Sequence, residues 1–162
     1  MERRGRKDRR QGAVAFISLA LALGSALAPT FTHAALGRQA ESTDVDQKML
    51  HARKGVRPGA EFTVHELTLP SGTVVREFIG PDGRVFAVAW RGPTLPDLKQ
   101  VFGDDNLQAF LSTPPEERSA RKSRTVRGQD LVVHSTGSAR FFTGFAYKPS
   151  LKPRAVREGD IR

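Results

Sequence analysis

The clearest hydrophobic pattern lies in residues 61–91, where three β-prone runs are separated by two turns. The runs are EFTVHELTL, TVVREFI and RVFAVAW, and the turns are at residues 70–72 and 80–83. Each turn ends in glycine after Pro-Ser or Pro-Asp, which suits a type I turn closed by a left-handed residue. The pattern therefore predicts an antiparallel meander of three strands.

The first turn also predicts which residues lie opposite each other in the first two strands. It places Glu66 opposite Arg76 and His65 opposite Glu77. A shift by one residue would bring Glu66 against Glu77, a contact between like charges that destabilises a sheet. The charges therefore favour the first register.

The second turn predicts that Phe78 faces Phe86 across the next strand pair. One face of the meander then carries Phe62, Val64, Phe78, Phe86, Val88 and Trp90. The other face carries Thr63, His65, Leu67, Leu69, Val75, Glu77, Ile79, Val85, Ala87 and Ala89. Because the third run is apolar on both faces, it should be a central strand covered on both sides.

Short helices and a second hairpin are predicted on either side of the meander. The segments are a helix at 42–52, a connector at 54–59, helices at 96–102 and 104–111, and strands at 130–135 and 139–147 joined by a turn around 136–137. They predict an α+β fold with a mainly antiparallel sheet of about five strands, made of the meander and the C-terminal hairpin. Residues 35–147 should form its single domain.

Two segments are polar and should lie outside the core. Residues 112–128 are expected to be a mobile basic loop, and residues 148–162 an extended or disordered tail. Such a loop could bind anionic lipid headgroups or polysaccharide phosphates. A solvated face is the stronger interpretation, because charge runs without aromatic residues usually stay in water. The bases of the loop are Arg118, Arg121, Lys122, Arg124 and Arg127.

The first 34 residues have the order of a secretory signal peptide. A basic start is followed by the apolar run 13–28 and by small residues three places and one place before a cut after Ala34. Cleavage near Ala34-Ala35 would place the protein in the periplasm or outside the cell. An uncleaved membrane anchor is the alternative, and the 16-residue run falls short of the roughly 20 apolar residues of a spanning helix.

Composition excludes several classes of protein. There is no cysteine, which excludes a disulfide scaffold, a cysteine zinc site and a lipid-anchored bacterial lipoprotein. The formal charge is +9, of which the first 34 residues supply +4. The remaining +5 is too little to indicate nucleic-acid binding. No phosphate-binding glycine loop or metal-ligand spacing is present, so no cofactor or metal is predicted.

One pair of side chains could carry acid–base chemistry. His65 opposite Glu77 could act as a general base or a pH-sensitive contact. A cross-strand pair with only a structural role is the stronger interpretation, because no nucleophile stands at a recognisable spacing. Ser71 lies in Leu-Pro-Ser-Gly-Thr, which is typical of a turn and lacks the Gly-x-Ser-x-Gly motif of a catalytic serine.

Several motifs occur together along the chain. TVHELTLPSGT at 63–73 is followed by VREF, VFAVAW, RGP and PDL, with ALG at 35–37 and Phe142-x-Gly144-x-Ala146-Tyr147 near the end. This set resembles the signature of the short exported Gram-negative proteins catalogued as domain of unknown function 2844. The resemblance implies an exported protein without a lipid anchor, and it supplies no activity or catalytic residues.

We therefore expect a non-enzymatic envelope protein that binds a partner or ligand, either another envelope protein or an anionic envelope component. A small periplasmic hydrolase built on His65 and Glu77 is one alternative. A second is a peptidase inhibitor, since a helix followed by a three-strand meander is similar to the PepSY repeat of secreted peptidase propeptides.

Overall fold

The computed structural model describes residues 36–116 and 123–162. The predicted signal peptide and three bases of the predicted loop (Arg118, Arg121 and Lys122) lie outside these residues. The elements in chain order are α1 Ser42–Met49, β1 Arg53–Pro58, β2 Thr63–Thr68, β3 Val74–Ile79, β4 Val85–Gly92, α2 Leu98–Phe102, α3 Asp104–Ser112, β5 Ser123–Arg127, β6 Val132–Ser138, β7 Phe141–Tyr147 and a 3₁₀ helix Glu158–Asp160.

The fold is α+β, with short helices and one antiparallel sheet in the order β1-β2-β3-β4-β7-β6-β5. The sheet has seven strands, so the prediction of about five was wrong. The two additional strands are its edges, β1 and β5. They form in the segments predicted as a connector and as a mobile loop, because each pairs along its whole length with a strand of a predicted hairpin.

The predicted register of the first hairpin is confirmed. Glu66 lies opposite Arg76 and His65 opposite Glu77. The turn closes with a hydrogen bond of 2.9 Å from the Leu69 N–H to the Thr73 carbonyl. Gly72 adopts a φ of 85°, the left-handed conformation that the turn sequence predicted. Local turn chemistry therefore determined this part of the sheet.

A β-bulge changes the register of the next hairpin. Phe78 pairs with Ala87 and Ile79 with Val85, so Phe86 is an extra residue without a partner on β3. The predicted pairing of Phe78 with Phe86 was therefore wrong. Because a bulge inserts one residue, every later residue of β4 moves to the other face.

The exchange caused by the bulge appears in the two apolar layers. Val88 and Trp90 lie on the helix face with Phe102, where Ala87 and Ala89 had been predicted. Ala87 and Ala89 lie instead on the opposite face with Phe86. β4 is buried on both faces, as the sequence predicted for a central strand.

The C-terminal segment covers part of the face opposite the helices. Val156 and Ile161 are 3% and 0% exposed, and they pack against Phe78, Phe86 and the neighbouring apolar residues. The prediction of an extended or disordered tail was therefore wrong. Val156 and Ile161, together with the partly buried Leu151, pack this largely polar segment against the apolar face.

The helices and the second hairpin differ from the predictions mainly at their ends. α1 ends at Met49 rather than at residue 52. α2 begins after Asp97, whose carboxylate accepts hydrogen bonds of 2.9 and 3.3 Å from the N–H groups of Lys99 and Gln100. β6 continues to Ser138, so the turn follows the predicted 136–137. None of the helices in the described ranges has the length and apolar character needed to cross a bilayer.

Candidate functional site

His65 and Glu77 lie opposite each other, but their environments differ. Glu77 is 2% exposed and lies beneath α1, whereas His65 is half-buried on β2. The pKa of His65 is lowered, first by burial and then by the positive charge of Lys54, while Asp44 opposes the shift. His65 is therefore neutral at pH 7.

The closest polar contacts of Glu77 come from α1 rather than from His65. Asp46 and Thr43 on the helix are the side chains that act most strongly on the Glu77 carboxyl group after burial itself. Asp46 also accepts a hydrogen bond from the Gln100 side chain on α2. These four residues form a buried polar cluster that joins α1, β3 and α2.

Burial raises the pKa of both carboxyl groups. The pKa of Asp46 rises to about 10, first because it is removed from water and then because Glu77 is beside it. The pKa of Glu77 is also raised by burial, although Asp46, Thr43 and Lys54 act in the opposite direction. At neutral pH the pair therefore retains a proton that two exposed carboxyl groups would lose.

The position of Glu77 does not suit a general base for a substrate in solution. A base must reach the proton that it removes within about 3 Å, directly or through one water molecule. Glu77 is covered by α1, and its nearest titratable neighbour is a second buried carboxyl group. The sequence prediction paired Glu77 with His65 and missed Asp46, because a helix can be placed over a sheet only by tertiary packing.

Arg124 and Arg127, the two described bases of the predicted anion-binding loop, are engaged in intramolecular contacts. Arg124 donates two hydrogen bonds of 3.0 Å to the carbonyls of Phe110 and Thr113, and its guanidinium lies 4.9 Å from the centre of the Phe110 ring. Arg127 forms ion pairs of 2.9 and 3.2 Å with Glu116 and Glu158. These contacts connect the edge strand β5 to the end of α3, to Glu116 and to Glu158 in the C-terminal segment.

A basic surface lies on the sheet face opposite the helices, next to the end of the C-terminal segment. It is a cleft of about 450 Å³, which we call the arginine groove. Its floor is formed by Ala89, Gly144 and Phe145, and its rim includes Arg76, Arg91, His134 and Arg162.

The rim arginines differ in how far their charges are neutralised. Arg76 forms an ion pair of 2.9 Å with Glu66 and donates a hydrogen bond of 2.8 Å to the Arg162 carbonyl. Arg91 lies over the Phe141 ring, 5.3 Å from its centre. Within residues 36–116 and 123–162, neither the Arg91 nor the Arg162 guanidinium forms an ion pair with a carboxylate. The groove therefore has an excess of positive charge.

His134 gives the groove a rigid wall. Its Nδ1 lies 2.9 Å from the Thr125 hydroxyl and its Nε2 lies 3.2 Å from the Thr136 hydroxyl. The ring stacks on Phe145, with 5.7 Å between the ring centres. The ring is held on both edges and on one face, which is the kind of preorganisation that lowers the entropic cost of binding.

The sequence prediction missed the groove because its residues come from five separate segments of the chain. Arg91 stands in the Arg-Gly-Pro motif, and Arg162 in the segment that had been predicted to be disordered. No group of three or more histidine, aspartate or glutamate residues in the described part of the chain could hold a metal ion. The groove is thus a basic surface with an apolar floor, suited to an anionic group.

The described residues form an α+β fold with a seven-stranded antiparallel sheet and an open basic groove. Residues 32–161 match the family described as "Protein of unknown function (DUF2844)", and the chain belongs to this family. Neither a curated protein nor a solved structure matches the chain significantly. The resemblance to PepSY repeats therefore stays a prediction.

Proposed function

We propose that this protein is an exported, non-enzymatic envelope protein that binds an anionic envelope component in the arginine groove. The observation that carries the proposal is the pair Arg91 and Arg162. Both guanidinium groups border one cleft, and neither has a carboxylate partner among the described residues. Arginine binds phosphate and carboxylate groups through paired N–H donors, so the ligand class is a phosphate- or carboxylate-bearing molecule.

The proposed location rests on the signal-peptide pattern of residues 1–34. Phosphate esters in the envelope occur mainly on lipid headgroups and polysaccharides, which are large and anionic. The apolar floor formed by Ala89 and Phe145 could take the uncharged part of such a molecule, while the arginine rim binds its charge. This arrangement requires only binding and no reacting group.

The non-enzymatic part of the proposal is supported by the site that the sequence suggested for catalysis. Glu77 is buried under α1 and shares a polar cluster with Asp46. His65 is neutral and has Lys54 rather than an acid as its strongest charged neighbour. These environments are typical of groups that hold a fold together.

The proposal is tested by the binding of the purified protein to phosphatidylglycerol vesicles and to phosphatidylcholine vesicles. We expect binding to the anionic vesicles only, weakening as salt rises because exposed charges are screened. Glycerol 3-phosphate is a competitor that distinguishes recognition of the phosphate group from attraction to a charged surface.

The variant Arg91→Glu should weaken binding by about tenfold or more, equivalent to about 1.4 kcal/mol. Lys48→Glu is the matched control, because Lys48 is an exposed base on α1 on the other side of the sheet. Equal losses in the two variants would indicate an effect of net charge and would contradict the groove as the site. Wild-type binding by Arg91→Glu would also contradict it.

A further inference from the structure

Helix α1 is attached to the sheet mainly through polar side chains. Its only fully buried residues are Thr43 and Asp46, which face Glu77 on β3. A short amphipathic helix normally docks through apolar residues, since their burial supplies most of its stability. The state of the polar cluster therefore decides how well α1 is held.

The two carboxyl groups of the cluster lack a donor between them. Gln100 donates to Oδ1 of Asp46. Within the described ranges, Oδ2 of Asp46 and Oε2 of Glu77 are buried and form no hydrogen bond, and the buried Thr43 hydroxyl donates to neither of them. Buried polar atoms are rarely left without a partner. A proton on one carboxyl group would provide the missing donor for the other.

The charged groups around the cluster can balance one negative charge but not two. Lys54 on β1 attracts Glu77, but its ammonium also pairs at 2.6 Å with Asp44, which stands on the exposed side of α1. His65 on β2 faces Glu77 in the register and is neutral. No second cation among the described residues acts on the pair, so full ionisation would leave a net negative charge in the interior.

We propose that Asp46 and Glu77 share one proton in the native protein and that α1 stays docked on the sheet only while this proton is present. Loss of the proton would place two adjacent carboxylates in a buried site, where like charges repel strongly. α1 would then separate from β3 and α2. The strands would remain paired, because their own apolar layers do not include the cluster.

The proposal determines whether the stability of the folded protein rises or falls with pH. In the unfolded chain both carboxyl groups are ionised at pH 7, whereas the native pair keeps one proton, so folding takes up a proton. A carboxyl group whose pKa is raised on folding stabilises the native state at low pH and loses this effect as the pH rises toward the native value. For Asp46 that value is about 10. The folding equilibrium constant should therefore fall tenfold per pH unit, which is about 1.4 kcal/mol.

The experiment measures the unfolding of the purified protein in urea at pH 6, 7 and 8. The variants Asp46→Asn and Glu77→Gln carry a permanent donor in place of the shared proton. Each variant should take up one proton fewer on folding. The tenfold fall in the folding equilibrium constant per pH unit that this proton causes should therefore disappear. Asp105→Asn is the matched control, since Asp105 is exposed on α3, and it should keep the wild-type slope.

A second measurement requires only the wild-type protein. Infrared spectroscopy at pH 7 should show the band of a protonated carboxylic acid. At alkaline pH the hydrogen-exchange protection factors of the α1 amides, which are corrected for the intrinsic base catalysis of exchange, should fall before those of the β3 amides. The proposal is overturned if the band is absent at pH 7. It is also overturned if Asp46→Asn folds and retains the wild-type slope.

Discussion

The indole of Trp90 lies directly on Gly144, its partner across β4 and β7. A Cβ atom on Gly144 would stand 2.3 Å from Cζ2 of Trp90 and 2.5 Å from the His134 carbonyl oxygen. Trp90 is buried and its ring packs 5.6 Å from that of Phe102 on α2. The absence of a side chain at residue 144 therefore allows the indole of Trp90 to approach the backbone of β7 closely.

This contact predicts that Gly144→Ala destabilises the protein by about 3 kcal/mol, because the added methyl group would have to displace both the indole and a strand carbonyl. Gly55→Ala is the control, since a Cβ atom there meets nothing within 4 Å. Urea unfolding of both variants measures the difference. A loss of stability in Gly144→Ala no larger than that in Gly55→Ala would contradict the packing.

The C-terminal segment should contribute strongly to stability. Ile161→Ala is expected to cost about 3 kcal/mol, since Ile161 is fully buried and truncation leaves a cavity. Arg154→Ala, an exposed position in the same segment, should have little effect. Thermal unfolding distinguishes the two. An Ile161→Ala protein with wild-type stability would show that the segment is not packed in solution.

The contacts of Arg124 predict that a lysine at this position would give a less stable protein. Its guanidinium reaches the carbonyls of Phe110 and Thr113 at the end of α3, which are hydrogen-bond acceptors near a helix C-terminus. Both hydrogen bonds come from the single nitrogen Nη2, but lysine lacks the planar guanidinium whose carbon lies 4.9 Å from the centre of the Phe110 ring. Arg124→Lys should therefore cost about 1 kcal/mol of unfolding free energy. Arg53→Lys, at an exposed position on the other edge strand, should cost almost nothing.

A contact between β7 and the 3₁₀ helix predicts that the stability of the protein falls at acidic pH. The Tyr147 hydroxyl donates a hydrogen bond of 2.5 Å to Glu158, which also pairs with Arg127. The Tyr147 hydrogen bond is the main reason that the pKa of Glu158 is lowered from its ordinary value of 4.5. A lowered carboxyl pKa stabilises the native state above the unfolded value, and the effect is lost as the pH falls through the native value.

Glu158→Gln should therefore cost about 0.5 kcal/mol at pH 7, a small amount because the side chain is 40% exposed and screened by water. The difference from the wild type should disappear as the pH falls below 4.5. Tyr147→Phe completes a double-mutant cycle that isolates the hydrogen bond. A constant difference from pH 7 to pH 3 would exclude ionisation of Glu158 as its cause.

Local chemistry explains which parts of the fold were predictable. The turn at residues 70–72 ends in a glycine with positive φ, so the register of β2 and β3 follows from neighbouring residues alone. β1 was missed because Arg-Lys-Gly-Val-Arg-Pro has no alternation of apolar and polar residues. It forms a strand because β2 offers a free edge, and this edge is a property of the assembled sheet.

The sequence by itself determined the α+β class, the antiparallel meander and the pairing of His65 with Glu77, because turns and alternation act over a few residues. Only the tertiary structure decided the bulge at Phe86, which moved Trp90 to the helix face. It also decided the meeting of Asp46 with Glu77. These outcomes depend on how layers pack, and burial acts between residues that are far apart in the chain.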